Sequence, residues 1–592
     1  MPASPAPTRQ NGEVHLLASR TGNGEILVLP LDADGTLAGP ALRVPVHEFP
    51  GYVRDQEHDR PRWVWEDTAR MYPPLLAAGV RVQRAHDLRL CHAILRQSTL
   101  TQASALARAE PSRWDRAPAL EPDAAASGVT LFDLFDGDSD GDSDSETDGD
   151  TGRASGAGAQ AEFRRQLDAV RSCRAPGRLR LLLAAESAGA LIAAEMRFAG
   201  LPWRTDVHEA LLTRELGPRV APGIRPERLE HLAGRIRDSL GEPGLNPDSQ
   251  PDLMRALQQV GLRVASTRAW ELKELTHPVI APLLEYKKLA RLLSANGWHW
   301  MDTWIVDGRF HPEYIPGGVV TGRWATRGGG ALQLPKQVRG AVVADEGWKL
   351  VVADAAQLEP RILAALSADT AMAQAGRGTD LYAGIVAEGV VETRDHAKVA
   401  MLGAMYGATS GESGRLLPRL AKAFPSALAL TETAARAGER GESVTTRLGR
   451  SSPLPGERWL ATQAQAYDPQ ATAADERRAR SQARDWGRFT RNFIVQGSAA
   501  EWALCWMAEL RRELRMLPLG GAAVAGAEFG RAPHLVFFLH DEVMVHTPAA
   551  LADTVEEIIR RAAHTAGRHL FGDFPVDFLL TVAKVDSYAQ AK

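Results

Sequence analysis

Cysteine is nearly absent from the 592-residue chain: Cys91, Cys173 and Cys505 are its only three, they lie far apart, and none belongs to a CxxC pair. That excludes a disulfide framework and a cysteine zinc site, and it suits a reducing compartment. Long apolar runs are missing as well. No stretch approaches the ~18 uncharged apolar residues of a membrane span. The opening MPASPAPTRQNGEVHLL has no continuous apolar core of a secretory signal. The expected setting is cytoplasmic and nucleoid-associated, without a membrane partner. A strong charge imbalance is lacking too. The formal net charge is -4, and Asp136 to Asp150 alone holds eight acidic residues and no basic one, which leaves the rest of the chain at +4. A mildly basic body permits a nucleic-acid partner. What is present is a globular balance, 44% hydrophobic and 24% charged, over a length that calls for several packed units.

Residues from about Gly12 to Gln97 read as a mixed α/β unit, with strands in VHLLA and ILVLPL and helices in DTARMYPPLLAAG and RAHDLRLCHAIL. From about Ser112 to Gln160 the composition turns to Ala, Gly, Ser and Asp, which predicts a disordered acidic linker. Asp136, Asp138, Asp140 and Gly141 imitate the start of a calcium loop, but Thr147 stands where that loop needs glutamate, so a solvated linker is the reading. Just ahead of it, Leu131, Phe132, Leu134 and Phe135 form an apolar patch. It is either a docking peptide or a segment packed on the adjacent domain. Helices follow through Leu293, and strands return from Trp324.

The chemistry concentrates between Thr321 and Pro548. In WKLVVADAAQLEPRILAALS a buried strand gives way to a helix, and Asp354 sits at the junction, as a metal ligand or a helix cap. HLVFFLHDEVMVHT reads as a hairpin with His540, Asp541 and Glu542 at its tip. Two adjacent acids there are costly unless solvent or a cation neutralises them. Aspartates on neighbouring strands can hold two Mg²⁺ ions for phosphoryl transfer. In ETRDHAKVAMLGAMYG the residues Arg394, Lys398, Leu402 and Tyr406 recur every four positions. They form one stripe of two cations, an apolar group and an aromatic, suited to phosphates at one end and a base at the other. Arg488, Asn492 and Gln496 share that spacing in GRFTRNFIVQGSAAE and could line a nucleic-acid groove.

The order TGRW, VVADAAQLEPR, RDHAKVAMLGAMYG, RNFIVQGSAAE, LHDEV resembles the family A DNA polymerases, the DNA polymerase I group, over about Leu229 to the C-terminus. NPDSQPDLMRALQQVGL and HPVIAPLLEYKKLARLL look like that family's thumb helices, and SVTTRLGRSSPLP like its fingers-side TxxGRxRxxP stretch. The resemblance implies a multidomain α+β right-hand polymerase, with helical thumb and fingers and an antiparallel palm sheet, after a degenerate ribonuclease H-like α/β domain. The corresponding boundaries are 1–111 for the first part of the exonuclease-type domain, 112–160 for the linker and 161–225 for its helical remainder and the connection. The thumb would span 226–300, and palm and fingers 301–592.

Carried over by position, the resemblance implies that Asp354, Asp541 and the carbonyl of Ala355 hold two Mg²⁺ ions, with Mn²⁺ as the alternative, and that Glu542 stands beside them. Arg394 and Lys398 would hold the triphosphate of a dNTP, with Gln357, Leu402 and Tyr406 in the nucleotide site. Glu359 would fill the space a ribose 2′-OH needs. Arg323, Gln333, Arg488, Asn492, Gln496 and His540 would contact primer-template DNA. LFDLF, holding Leu131, Phe132, Leu134 and Phe135, resembles peptides that bind the sliding clamp. Departures from the family pattern bear on affinity, speed and sugar discrimination. Leu402 stands where an aromatic is usual, Ala355 and Ala356 replace a tyrosine and a serine, and Pro360 replaces a helix former. The first strands contain no DxE, and Asp87 alone resembles an exonuclease ligand, so the two-metal cage of a 3′-5′ exonuclease is expected to be missing. The implied function is DNA-directed DNA synthesis in repair or replication. The alternatives are a bifunctional enzyme with a working exonuclease, or a non-catalytic DNA-binding scaffold. A single-subunit RNA polymerase is disfavoured by Glu359.

Overall fold

The computed structural model describes residues 14–116, 156–221, 223–327, 334–407, 411–517 and 528–591. The acidic run, the apolar patch at Leu131, Phe132, Leu134 and Phe135, and Gln333 lie outside these residues. The chain divides into two compact units, one of residues up to 199, 314–326 and 351–584, the other of residues 200–313, 327–350 and 585 onward.

The first unit begins with strands β1 (His15–Arg20), β2 (Glu25–Leu31), β3 (Leu42–Pro45), β4 (Arg62–Trp65) and β5 (Arg84–Asp87) in the spatial order β3-β2-β1-β4-β5. β1 runs antiparallel to β2 and parallel to β4, and β4 runs parallel to β5. Alternate side chains serve two cores. Leu16, Ala18, Val28, Trp63 and Trp65 face one, while Leu17, Leu29 and Val64 join Trp114 and Phe163 in the other. Helices α1 (Leu88–Gln97), α2 (Gly156–Ser172) and α3 (Pro176–Ala199) follow. α2 starts inside the segment that composition assigns to the linker, and Trp114 ahead of it is buried. The reason is periodicity: Ala159, Phe163 and Val170 form a buried helical face that an average over composition hides.

The same unit holds most of a second sheet of β6 (Trp348–Ala355), β7 (His534–Leu539), β8 (Glu542–Pro548) and β9 (Leu580–Val585), in the order β7-β8-β6-β9. Its helices include α4 (Leu358–Leu366), α5 (Arg394–Tyr406), α6 (Pro425–Glu439), the 42-residue α7 (Ala473–Leu514) and α8 (Ala552–Phe571). Thr472 and Asp475 form a capping box that starts α7. Farther along, Trp506 Nε1 donates to the Ile559 carbonyl of α8 at 3.1 Å, and Trp502 stacks on Phe578.

A buried ionic cluster joins the first sheet's region to α7. Glu195 on α3 accepts from Tyr72 Oη at 2.6 Å, from Arg81 Nη2 at 2.8 Å and from Arg511 Nε at 3.0 Å, and Arg511 Nη2 also donates to the Val82 carbonyl at 2.6 Å. Burial alone would raise the Glu195 carboxyl, but Arg511 and Arg81 outweigh it and hold the group well below the usual carboxylate range.

The second unit is mainly helical, with helices Thr205–Leu216, Glu227–Leu240, Gln250–Gln259 and Ile280–Asn296. A small sheet of Leu201–Pro202, Arg309–Phe310 and Ile305–Val306 supports the aromatic cluster of Trp203, Trp300 and Phe310. No described helix in either unit is long and apolar enough to cross a membrane.

Candidate active site

β6 ends at Ala355, so its last inward and outward positions are fixed by the strand's buried LVVA run, and Asp354 emerges half-buried at its end. The cap of α4 is Gln357, not Asp354, which removes the helix-cap reading of that aspartate. β7 and β8 form the expected hairpin, with Leu539 paired to Glu542 across a His540-Asp541 loop. The tip therefore holds one acidic side chain rather than two. Asp541 lies half-buried in the loop, whereas Glu542 opens β8, whose residues 542–547 are all buried, and is itself 1% exposed. The Ala355 amide donates to the Asp541 carbonyl at 2.9 Å, so the two aspartates are brought to adjoining strand ends. Both chain bends contain a non-glycine residue in the left-handed region, Gln357 at φ 50° and His540 at φ 58°, conformations that persist where surrounding contacts impose them. Among the described residues, no three His, Cys, Asp or Glu side chains cluster closely enough to hold a metal without other donors.

Beside this pair stands Glu359, in the first turn of α4. Arg323 donates to one of its oxygens and Tyr406 Oη to the other at 2.6 Å. Burial first, and then Glu359, push the Tyr406 phenol well above its usual pKa, while a hydrogen bond with Gln496 pulls the other way. Burial and the Arg323 cation lower His540, although the residue keeps an exposed edge. Arg323, Glu359, Tyr406, Gln496 and His540 thus form one polar cluster. The Oε1 of Gln496 and the Oδ1 of Asn492 are buried atoms without a hydrogen-bond partner among the described residues.

α5 presents the expected stripe. Arg394 and Lys398 are exposed, Leu402 and Tyr406 half-buried, while Ala397, Ala400, Met401 and Ala404 fill the opposite side. Arg394 lies over the Tyr382 ring at 5.5 Å and donates to Asp380 Oδ2 at 2.8 Å. Partial burial opposes it, yet Arg394 and the Ala383 amide keep the Asp380 carboxyl below its ordinary range. Gln357 Nε2 donates to the same carboxylate at 2.8 Å. Lys398 makes no ion pair among the described residues. On α7, Arg488 pairs with Asp485 and packs against Gly407, the left-handed residue that ends α5.

Several residues that shape the site escaped sequence reading. Arg361, 1% exposed on α4, donates to the carbonyls of Ala356 at 3.0 Å, Gly376 at 2.7 Å, Thr379 at 2.7 Å and Asp577 at 2.8 Å. Its signal was a lone cation in the apolar run LEPRILAAL, which a helix buries only when every N–H finds an acceptor. Asp380 and Tyr382 carry no comparable mark. The TTRLGR segment is held from two sides. Thr446 Oγ1 and the Leu448 amide donate to the buried Glu501 of α7, the latter at 2.8 Å, while Arg450 Nη2 donates to Glu186 of α3 at 2.7 Å. Burial raises Glu501 to about 7 despite those donors. Ser98 Oγ donates to the Gly449 carbonyl at 2.6 Å and the Thr99 amide to Ser451 Oγ at 2.9 Å. Gly449 sits at φ 124°, and a Cβ there would lie 2.8 Å from both Leu100 and Leu179.

In the sheet of the N-terminal residues, Asp87 is buried and both its oxygens are taken by backbone amides, Thr68 at 2.7 Å and Leu90 at 2.9 Å. Burial, then Asp67, raise its pKa to about 6. It acts there as a helix cap.

Comparison with known proteins gives a consistent picture. Residues 225–584 match the family described as DNA polymerase family A. The chain is 25% identical over 438 residues to a thermostable DNA polymerase I of Thermus filiformis, covering 64% of this chain and 47% of that protein. It is 26% identical over 398 residues to DNA polymerase I of Chloroflexus aurantiacus, covering 60% and 38%. The chain thus spans less than half the length of these relatives. In fold it resembles the POL domain of Pol1 from M. smegmatis, solved in complex with DNA primer-template and dNTP. The TM-score is 0.63 at 17% identity, over 98% of this chain and 96% of that one.

Proposed function

Because the chain belongs to DNA polymerase family A, we propose that it is a DNA-directed DNA polymerase that extends a primer 3′-OH with dNTPs. The observation that carries this reading is the pairing of two carboxylate-bearing strand ends, Asp354 and Asp541, joined by the Ala355 amide to Asp541 carbonyl bond at 2.9 Å, beside a Glu359 that two side chains hold in place. DNA binding alone needs neither.

The donors fit divalent metal ions of the Mg²⁺ kind. They are hard oxygens, two carboxylates and the Ala355 carbonyl, and the set is short of a full shell, as expected where substrate phosphates supply the remainder. Such ions, when bound, neutralise phosphate charge and favour attack by a hydroxyl. The chain's own residues do the rest. Arg394 and Lys398 would bind the triphosphate, with Asp380 orienting Arg394 until phosphate takes its place. Tyr406 and Leu402 would flank the base and sugar. Gln357 would hold the bend between Asp354 and α4, and Glu359 would occupy the room of a 2′-OH. Arg323, Arg488, Asn492, Gln496 and His540, with Gln333, would line the primer-template duplex. The primer oxygen attacks the α-phosphate, the bond to the β-phosphate breaks, and pyrophosphate leaves.

In this reading residues 226–300 are the thumb and 301–592 the palm and fingers. The N-terminal strands and α1 to α3 are a ribonuclease H-like domain without nuclease activity. The β3-β2-β1-β4-β5 order supports that assignment, and the occupation of Asp87 by two backbone amides supports its loss of hydrolysis.

The test is extension of a labelled primer-template with Mg²⁺ and dNTPs, beside Asp541→Ala, with one lane of rNTPs and one without nucleotides. The proposal expects dNTP extension that the variant loses. A duplex bound without extension by the parent protein would favour a scaffold, and primer shortening without nucleotides would favour a bifunctional enzyme.

A further inference from the structure

The loop of residues 317–323, which carries Arg323, rests on a buried ion pair. The loop is closed by the Gly322 amide, which donates to the Val319 carbonyl at 2.7 Å, and by the Val319 amide, which donates to the Arg323 carbonyl at 3.1 Å. A Cβ on Gly317 would lie 2.7 Å from Glu186 Oε1, and one on Gly322 would lie 2.8 Å from Arg450 Cζ. The two charged groups therefore lie directly against the backbone at both ends of the loop. Arg450 Nη2 donates to Glu186 Oε2 at 2.7 Å, and the two side chains are 12% and 1% exposed. Thr446 fixes Arg450 in turn: its Oγ1 accepts from the Arg450 amide at 2.9 Å, and its own amide donates to the Arg450 carbonyl at 2.8 Å. Gly497 of α7 closes the third side, since a Cβ there would lie 2.5 Å from Thr446 Cγ2 and 3.2 Å from the Thr321 carbonyl oxygen. Glu186 Oε1, Arg450 Nε and Thr321 Oγ1 are buried atoms without a hydrogen-bond partner among the described residues. A buried ion pair left incomplete in this way gives no more stability than apolar side chains of similar volume, and what it supplies instead is a fixed geometry.

We propose that Glu186 is a positioning residue for nucleotide insertion, acting through Arg450 and the Gly322 backbone on Arg323. This rests on the polymerase reading above. Glu186 belongs to α3, outside the residues 225–584 that match the polymerase family. Arg323 donates to Glu359, which also accepts from Tyr406. A loop that sinks or tilts when its support is removed carries Arg323 away from Glu359 and from the primer terminus that Arg323 would contact. Insertion is sensitive to displacements of that size, because the reacting groups must be held close to attack geometry. The pair acts on the Arg323 side of the site, whereas Arg394 and Lys398 stand on α5. Removing it therefore slows the insertion step and leaves the hold on the triphosphate as it was.

The experiment measures single-turnover insertion of one matched dNTP on a primer-template by four proteins: the parent, the double variant Glu186→Met with Arg450→Met, Arg323→Ala, and the three changes combined. The double variant fills the space of the ion pair with apolar side chains, so it is expected to melt close to the parent. Its maximum insertion rate should fall by about tenfold, with the half-saturating dNTP concentration unchanged. On the Arg323→Ala background the same two changes should alter the rate by less than about twofold, since groups that act through one another are not additive. Glu186→Gln, which keeps the side-chain shape, repeats the comparison free of any packing defect in the double variant, with a smaller loss in the same direction. A full insertion rate without the pair, a loss that multiplies with that of Arg323→Ala, or a loss seen only in melting would overturn the positioning role. A parent protein that binds the duplex and never inserts a nucleotide would overturn the polymerase reading itself, and this role with it.

Discussion

Tyr406 of α5 donates to Glu359 of α4 at 2.6 Å while Arg323 holds the other oxygen of the same carboxylate. Two elements far apart in sequence thus fix one side chain against the proposed sugar position, and that side chain has little freedom to yield. A gate of this kind works by steric exclusion only as well as it is held.

Tyr406→Phe removes one of the two restraints. A hydrogen bond to a charged partner contributes ~1.5–3 kcal/mol, so preference for dNTP over rNTP should fall by about tenfold or more. The measurement is the ratio of single-nucleotide insertion efficiencies, and an unchanged ratio would mean that Glu359 does not face the sugar. Because the phenol titrates well above its usual value, it stays a donor, and the parent's preference should not decline between pH 7 and 9.

Glu501 has its carboxyl raised to about 7, first by burial. Folded protein therefore binds this proton where unfolded chain, near the ordinary value of 4.5, has lost it. The carboxyl's cost to stability grows as pH rises from about 4.5 to 7 and is complete above 7, at about 3 kcal/mol. Glu501→Gln removes the charge and keeps one oxygen to accept from the Leu448 amide, while its NH2 takes the place of the oxygen that accepts from Thr446 Oγ1 and can donate to that hydroxyl instead. It should raise the melting temperature at pH 8 and change it little at pH 5. A shift of equal size at both pH values would contradict the assignment.

Asp87→Ala is expected to cost stability, about 1–2 kcal/mol, by stripping the cap from α1. It should leave primer extension intact and reveal no hydrolysis to lose. Denaturant unfolding, beside incubation of a labelled primer without nucleotides, reads both. A shortening of the primer by the parent that the variant lacks would restore Asp87 as a ligand.

Glu195→Gln leaves two buried guanidinium groups without their carboxylate. Breaking a buried pair by removing one partner typically costs 3–5 kcal/mol, and a loss of about that size in the free energy of unfolding is expected. A cost below about 1 kcal/mol would mean that water reaches the cluster.

The parts of the site that could be read from sequence are those confined to one segment. The alternation of HLVFFLHDEVMVHT gave a hairpin, the change of period in LVVADAAQLEPRILAALS a strand and helix around Asp354, and the four-residue spacing a stripe on α5. What stayed hidden depends on chain closure. Arg394 meets Asp380, Glu501 meets Thr446, and Arg511 meets Glu195 only after folding joins segments 14, 55 and 316 residues apart. No local pattern marks those partners. The start of α2 at Gly156 was missed because composition was averaged over a window in which the helix is a minority.

The long helix α7 has a mechanical consequence. At the ordinary rise its 42 residues make a rod of about 63 Å. It has Arg477 near one end, the Arg488 to Gln496 face near the middle, and Arg511 at the other end, clamped to Glu195 and the Val82 carbonyl. A continuous helix bends only gently, so a push on its middle is not absorbed locally and arrives at the clamp as torque. The sheet of the N-terminal residues and α3 then serve as the abutment against which this beam rests.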